Sequence, residues 1–123
     1  MGLSVLIVDD DFINRTLLKS ILRKYTGEIS EMVEAENGSD ALDKLKVNGN
    51  IDIILLDIIM PILNGIDFLK IFRGNSSFND VPVIVLSTDD TRKGEVLDLG
   101  ANDFLRKPIK GDELFKKIIQ WTA

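Results

Sequence analysis

Acids, hydroxyls and one lysine follow short apolar runs of this sequence, and they are the residues that could do chemistry. In chain order they are Asp9, Asp10, Asp11, Asp57, Ser87, Thr88 and Lys107. The chain contains no histidine and no cysteine, which excludes disulfides, thiolate metal sites and the usual general base. Any reaction must therefore use carboxylates, hydroxyls, lysine and backbone, and a bound metal should be a hard ion such as Mg²⁺.

Carboxylates gathered in one place need positive charge beside them. Two carboxylates about 4 Å apart repel by roughly 4 kcal/mol at an effective dielectric constant of about 20. Lys107 would supply one positive charge, and a divalent metal would supply the rest. Mg²⁺ typically takes one or two carboxylates, which leaves another to act as a nucleophile that forms an aspartyl phosphate. The lysine and the metal would neutralise the phosphoryl oxygens, and Ser87 could donate a hydrogen bond to one of them.

The composition predicts one domain that spans residues 1–123. With 45% hydrophobic residues, a chain of 123 residues can bury one sizeable core. The net charge of -5 argues against nucleic-acid binding through a basic face. No apolar stretch approaches the roughly 20 residues of a membrane span, and the N-terminus lacks the pattern of a signal peptide. We therefore expect a cytoplasmic protein without membrane contact.

Short runs rich in Val, Ile and Leu predict the strands that must position these residues. In chain order the predicted strands are Leu3–Val8, Met32–Ala35, Ile51–Leu56, Val81–Leu86 and Asp103–Leu105. Most lack a polar/apolar alternation, as is typical of a parallel sheet covered on both faces. Helical spacings follow each run, and strand and helix alternate five times. This order predicts a three-layer α/β fold with right-handed crossovers.

Capping and turn residues mark the ends of the predicted helices. Asp11 is expected to cap the first helix, and Asn37 and Asn64 stand at the starts of the second and third. Gly100 is expected to follow the end of the fourth. In open parallel sheets, function gathers beyond the carboxyl ends of the strands, which is where the acids, hydroxyls and lysine stand.

Four segments resemble the hallmark segments of the receiver (response-regulator) family, in the family's order and spacing. They are LIVDDD, LLDIIMPILNG, VIVLS and FLRKP. The resemblance covers the whole chain. It implies a flavodoxin-like (βα)5 fold with a five-stranded parallel sheet of order 2-1-3-4-5, and a function in two-component signal transduction.

Transferred by position, the resemblance implies that Asp57 is the phosphoacceptor. Asp9 and Asp10 would form the acid pocket for Mg²⁺, with Asp10 and Asp57 as direct ligands. The backbone carbonyl of Ile59 would be a third protein ligand. Ile58 and Thr88 would lie next to the phosphoryl position.

The resemblance also implies the residues that respond to the phosphoryl group. Lys107 would pair with it, and the Lys107–Pro108 peptide bond is expected to be cis. Ser87 would be the hydroxyl switch residue. Phe104 occupies the position of the aromatic switch residue, although plain packing in the core is an alternative for it.

The function so implied is acceptance of a phosphoryl group, which then changes an interaction surface. The donor would be a sensor histidine kinase or a histidine phosphotransfer protein, because this chain has no histidine of its own. A downstream protein target is expected, and the receiver would be a monomer or a weak phosphorylation-dependent dimer. The chain's own chemistry would be limited to self-phosphorylation and self-dephosphorylation, so it would not be an enzyme in the ordinary sense.

Two departures from the family pattern predict that the phosphoryl group is lost slowly. Thr88 stands where the family usually has a small residue, and it adds bulk beside the phosphoryl position. Ile59 has no polar group to orient an attacking water molecule.

Three other functions are compatible with parts of the pattern. A small Mg²⁺-dependent phosphohydrolase with an aspartyl nucleophile would need a nearby general acid and usually a cap domain. A flavodoxin-like nucleotide or FMN module would want a Gly/Ser/Thr-rich phosphate loop after the first strand, where this chain has three aspartates. An unphosphorylated interaction domain of the same fold would not need the complete acceptor set.

Overall fold

The computed structural model describes residues 2–25, 27–58, 60, 62–75 and 80–123. Within these ranges, strands and helices alternate along the chain. The strands are β1 (Leu3–Val8), β2 (Ile29–Ala35), β3 (Ile53–Asp57), β4 (Val83–Ser87) and β5 (Asp103–Arg106). The helices are α1 (Phe12–Leu22), α2 (Gly38–Val47), α3 (Gly65–Arg73), α4 (Lys93–Asp98) and α5 (Gly111–Thr122).

The strands form one parallel sheet in the order β2-β1-β3-β4-β5, which confirms the predicted topology. Successive residues of each strand point to opposite faces of the sheet, so two apolar clusters form. Leu6 and Ile54 belong to the cluster that α2, α3 and α4 complete. Val5 and Ile53 belong to the cluster that α1 and α5 complete. Both faces are covered, and this explains why the strand sequences show little alternation.

The strand boundaries differ from the prediction by up to three residues. β2 begins at Ile29 rather than Met32, because Leu3 of β1 already pairs with Ile29. β4 begins after Pro82, which has no N–H to donate and whose carbonyl accepts from Ile54 at 3.0 Å. β3 and β4 also extend one residue beyond their predicted ends, so Asp57 and Ser87 are the last residues of strands rather than the first residues of loops.

The predicted helix ends are confirmed. Asp11, Asn37 and Asn64 cap α1, α2 and α3, and each side-chain oxygen accepts a backbone N–H at 2.9 Å. Gly100 follows α4 with a φ of 108°, a conformation that favours glycine. None of the helices in the described ranges is long and apolar enough to cross a membrane.

Candidate functional site

Four strand ends converge at one edge of the sheet. Asp9 directly follows β1, Asp57 ends β3, Ser87 ends β4 and Lys107 directly follows β5. Carboxylate oxygens of Asp9, Asp10 and Asp57 lie within 4.8 Å of one another. The fold therefore gathers the three acids that the sequence marked as a candidate metal pocket.

Lys107 contributes positive charge to this acid cluster. Its Nζ lies 3.6 Å from Asp9 Oδ2 and 3.8 Å from Asp57 Oδ1. Its backbone N–H donates to the Ser87 carbonyl at 2.9 Å, which ties the end of β5 to the end of β4. The Lys107–Pro108 peptide bond is cis, as expected. One positive charge does not balance three carboxylates, so the cluster keeps a net negative charge that would attract another cation.

The segment that follows Asp57 packs closely against it. Ile58 donates its N–H to Asp57 Oδ1 at 2.9 Å, while its side chain is buried in the core. A Cβ on Gly65 would lie 2.5 Å from the Asp57 carbonyl oxygen, so a side chain does not fit there. Ile59, whose carbonyl is predicted to bind Mg²⁺, lies outside the described residues.

Burial and the neighbouring acids disfavour the charge of Asp57. Its side chain is 16% exposed, and its pKa is raised from 3.8 to about 6. Burial is the largest cause of this rise; Lys107 opposes it, and the charges of Asp9 and Asp10 add to it. The hydrogen bond from Ile58 N–H also favours the ionised form. Asp57 is thus a carboxylate whose ionisation a bound cation would stabilise.

The residues predicted to surround the phosphoryl group differ in exposure. Ser87 is buried, and its Oγ accepts the N–H of Asp89 at 3.0 Å. Thr88, the residue directly after β4, is exposed. Phe104 is 7% exposed and packs in the apolar cluster on the side of α4. Core packing therefore accounts for Phe104 in this structure, and its switch role stays a prediction.

The family model for the response regulator receiver domain matches residues 5–119. The chain belongs to this family. Its fold and its acid cluster are therefore those of a receiver domain of the two-component response-regulator type. No similarity favours the phosphohydrolase that the sequence left as an alternative.

A chemotaxis protein and a two-component response regulator are similar to this receiver domain over most of their length. Chemotaxis protein CheY1 of Helicobacter pylori is 33% identical in an alignment 119 positions long, and the alignment covers 94% of this chain and 94% of the relative. Two-component response regulator ORR3 of Oryza sativa subsp. indica is 31% identical in an alignment 112 positions long, and the alignment covers 89% of this chain and 83% of the relative.

Solved structures of receivers superpose closely on this one. Chemotaxis response regulator CheY4 of Vibrio cholerae has a TM-score of 0.85 and 29% identity, with 98% of this chain and 99% of that chain covered. The receiver domain of sensor histidine kinase PA1611 from Pseudomonas aeruginosa has a TM-score of 0.86 and 27% identity, with 99% and 98% covered. That second structure contains a magnesium ion coordinated in its active site cleft.

A cleft beside the acid cluster of this receiver was not predicted from the sequence. It has a volume of about 490 Å³ and lies between α1 and the segment that joins β5 to α5. Its lining is mainly apolar and includes Leu17, Ile21 and Ile109, and it reaches Asp9 and Lys107. Leu17 and Ile21 stand four residues apart in the sequence, which predicts that they share a face of a helix, but this spacing does not predict a cleft.

Two polar networks at the edges of the receiver were also missed. Asp103 accepts hydrogen bonds from Trp121 Nε1 at 2.9 Å and Lys117 Nζ at 3.0 Å, which fastens α5 to β5. Towards the opposite edge of the sheet, where β2 lies, Arg15 donates to Glu34 at 3.0 Å and to the carbonyl of Asp9 at 2.8 Å. Lys117 and Trp121 are four residues apart, so a helical pattern predicts that they share a face, but it does not predict their partner.

Proposed function

We propose that this receiver domain accepts a phosphoryl group on Asp57 from a phosphohistidine of a sensor histidine kinase or a histidine phosphotransfer protein. The observation that carries the proposal is the position of Asp57 at the end of β3. Its Oδ1 lies 3.8 Å from Lys107 Nζ, and its carboxylate belongs to a cluster with Asp9 and Asp10. A nucleophile, a phosphate-pairing cation and a metal-binding pocket thus lie together.

Mg²⁺ fits the chemistry of this cluster. The candidate ligands are carboxylate oxygens within 4.8 Å of one another, which suits a hard divalent ion and not a thiophilic one. Asp10 and Asp57 would bind it directly, together with the carbonyl of Ile59, and Asp9 would complete the acid pocket. The bound ion would neutralise the cluster and the oxygens of an incoming phosphoryl group. The magnesium ion in the PA1611 receiver supports this assignment.

A backbone N–H and a lysine side chain would hold the reacting atoms. Ile58 N–H holds Asp57 Oδ1, and Lys107 is close enough to turn its ammonium to a phosphoryl oxygen. An oxygen of Asp57 forms the new bond to phosphorus while the bond from phosphorus to the donor's imidazole nitrogen breaks, and the imidazole leaves with the electron pair. Positioning and charge neutralisation provide the catalysis, as in other phosphoryl transfers.

Exposed apolar side chains on α1 lie beside the acid cluster. Phe12 and Ile13 are each 65% exposed, and Leu17 is 58% exposed, on the helix that directly follows the aspartates. Exposed apolar side chains around a reactive group are typical of a partner surface. We therefore assign the donor's docking surface to these three residues and the adjoining cleft.

Phosphorylation would shift the receiver between two states. The phosphoryl group would draw the Ser87 hydroxyl and Lys107 towards it, and the surface around α4, β5 and α5 would change its affinity for a downstream protein. Phe104 could take part only by a change in its burial, since it has no hydroxyl. We propose that the domain does this in the cytoplasm, as a monomer or as a weak dimer when phosphorylated.

Intact mass spectrometry tests the proposed function. Wild type and Asp57→Ala are incubated with acetyl phosphate, with and without Mg²⁺, and Asp43→Ala on the exposed face of α2 serves as the control. Wild type and the control should gain the mass of one phosphoryl group in Mg²⁺, and Asp57→Ala should gain none. A wild type that gains no phosphoryl group, even from a histidine kinase, would refute the proposal.

A further inference from the structure

Arg15 connects the acid cluster to the edge of the sheet. It lies in α1, and its Nη1 donates to the backbone carbonyl of Asp9 at 2.8 Å. Its Nε donates to Glu34 Oε1 at 3.0 Å. The side chain is 13% exposed, so both hydrogen bonds are largely shielded from water. A partly buried guanidinium that bonds two separate elements has little freedom to move.

The backbone of Glu34 is held by strand pairing and by Lys44, so Glu34 can anchor Arg15 without relying on Lys19. It lies in β2, next to β1, and its second carboxylate oxygen accepts from Lys19 Nζ at 3.0 Å. Its backbone carbonyl accepts from Lys44 Nζ at 3.0 Å. The hydrogen bond from Lys19 is the largest cause of a lowered pKa at Glu34, and Arg15 adds to it, so the carboxylate stays ionised at neutral pH.

The carbonyl that Arg15 holds belongs to the peptide group between Asp9 and Asp10. The N–H of Asp9 donates to the Ala35 carbonyl at 3.1 Å, and Asp9 Oδ1 accepts the N–H of Asp11 at 2.9 Å. Asp10 is the exposed member of the cluster, so the direction of its side chain depends on the backbone from which it leaves. By holding the plane of the Asp9–Asp10 peptide, Arg15 would restrict the backbone position from which the Asp10 carboxylate reaches the cluster.

We propose that Arg15 is a positioning residue for the metal pocket, and that Mg²⁺ affinity depends on its hydrogen bond to the Asp9 carbonyl. This inference rests on the proposed function, because it assumes that the pocket binds Mg²⁺. Charge alone would act in the opposite direction. Removal of a cation near three carboxylates would by itself strengthen the binding of a divalent cation. Loss of the orienting hydrogen bond weakens it, and outer-shell partners of metal ligands typically contribute about 10- to 100-fold in affinity.

The test is the Mg²⁺ dissociation constant, measured by titration calorimetry at constant ionic strength on wild type and Arg15→Gln. We expect Arg15→Gln to bind Mg²⁺ about tenfold more weakly than wild type. Lys19→Gln is the matched control. It removes one positive charge from the same Glu34 carboxylate but leaves the bond from Arg15 to Asp9 in place, so its affinity should stay within about twofold of wild type.

Thermal melting in chelator shows whether Arg15→Gln folds. If it does not, Arg15→Lys, which keeps the positive charge, tests the inference in its place. A lysine has one ammonium in place of the fork of donors, so it cannot reproduce both bonds, and we expect weakened binding here too. At saturating Mg²⁺, each folded Arg15 variant should still be phosphorylated on Asp57. Variants at Arg15 that bind Mg²⁺ as tightly as wild type, or no more weakly than Lys19→Gln, would overturn the inference and leave the proposed function intact. A wild type that binds no Mg²⁺ would overturn both.

Discussion

The charge of Asp57 should destabilise the metal-free fold, and Asp57→Asn should therefore stabilise it. The pKa of Asp57 rises from 3.8 to about 6 on folding, mainly because the carboxyl group is buried. A carboxyl group whose pKa is higher in the folded state binds its proton more tightly there. Ionised Asp57 consequently lowers the free energy of unfolding above about pH 6, and this penalty disappears as the pH falls towards about 4.

The expected size of the effect follows from the pKa shift. A rise of about two units at about 1.4 kcal/mol per unit gives a penalty of about 3 kcal/mol at pH 8, which we take as an upper bound. The side chain is 16% exposed, so screening by solvent reduces this value only in part. An asparagine keeps an oxygen that can accept the N–H of Ile58. We therefore expect Asp57→Asn to be more stable than wild type by about 1–3 kcal/mol in chelator at pH 8.

Urea unfolding in chelator, followed by the fluorescence of Trp121, measures this difference. Trp121 donates to Asp103 in the folded protein, so its environment changes on unfolding. At about pH 5 the gain from Asp57→Asn should fall to about half, because wild-type Asp57 is then mostly protonated in the folded state. Saturating Mg²⁺ should reverse the order of stability if Asp57 is a ligand as proposed, because the ion would stabilise wild type by mass action and would have one ligand fewer in the variant.

The matched control is Asp43→Asn on the exposed face of α2, which should change stability by less than about 0.5 kcal/mol at either pH. An Asp57→Asn variant that is no more stable than wild type at pH 8 would refute the argument from burial. A gain of equal size at both pH values would show that the effect does not arise from ionisation of Asp57.

Three further predictions concern other parts of the chain. Ile59→Asn should speed the loss of phosphate from the phosphorylated protein several-fold, which the decay of the phosphorylated mass measures; an unchanged half-life would contradict the role given to Ile59. Ile62, exposed with a φ of 67°, is a β-branched residue in the left-handed region, so Ile62→Gly should raise stability by about 1 kcal/mol in urea unfolding, and a loss would contradict this. Burial of Asp103 opposes its ionisation, but hydrogen bonds from Trp121 and Lys117 outweigh it and lower its pKa. Asp103→Asn should therefore lower the free energy of unfolding by about 1–3 kcal/mol at pH 7, and by less as the pH falls through that lowered pKa. Urea unfolding at several pH values measures this difference, and a loss of equal size at every pH would contradict the role given to the ionised carboxylate.

The sequence predicted correctly those features that follow from the apolar pattern of each element and from the order of the elements. The apolar runs predicted a parallel sheet because both of its faces are buried, and the order of runs and helical spacings left little choice of topology. The amino-acid sequence alone was enough to place Asp57, Ser87 and Lys107 together, since the carboxyl ends of parallel strands share one edge of a sheet. The strand ends were less predictable, because residues such as Ile29 join a strand only through a partner in a neighbouring one.

What could not be predicted depends on contacts between side chains of distant elements. Arg15 and Glu34 are 19 residues apart, and their contact requires the packing of α1 against β2. Asp103 and Trp121 are 18 residues apart, and their contact requires the register of α5 along β5. A pattern of apolar positions shows which face of a helix is buried, but it does not show which polar side chains meet at the border of that face.

The instability predicted for the metal-free pocket also bears on how the receiver can switch. A site that the fold leaves with excess negative charge gains stability from each cation it binds, because binding removes a penalty that the folded state already carries. Under the proposed function, phosphorylation of Asp57 would add negative charge beside Lys107, so the position of this lysine would become sensitive to whether Asp57 is modified. Lys107 is bonded through its backbone N–H to the Ser87 carbonyl, and a shift of its side chain therefore acts at the junction of β4 and β5. The repulsion among the carboxylates at this sheet edge would in this way be coupled to movement of the ends of β4 and β5.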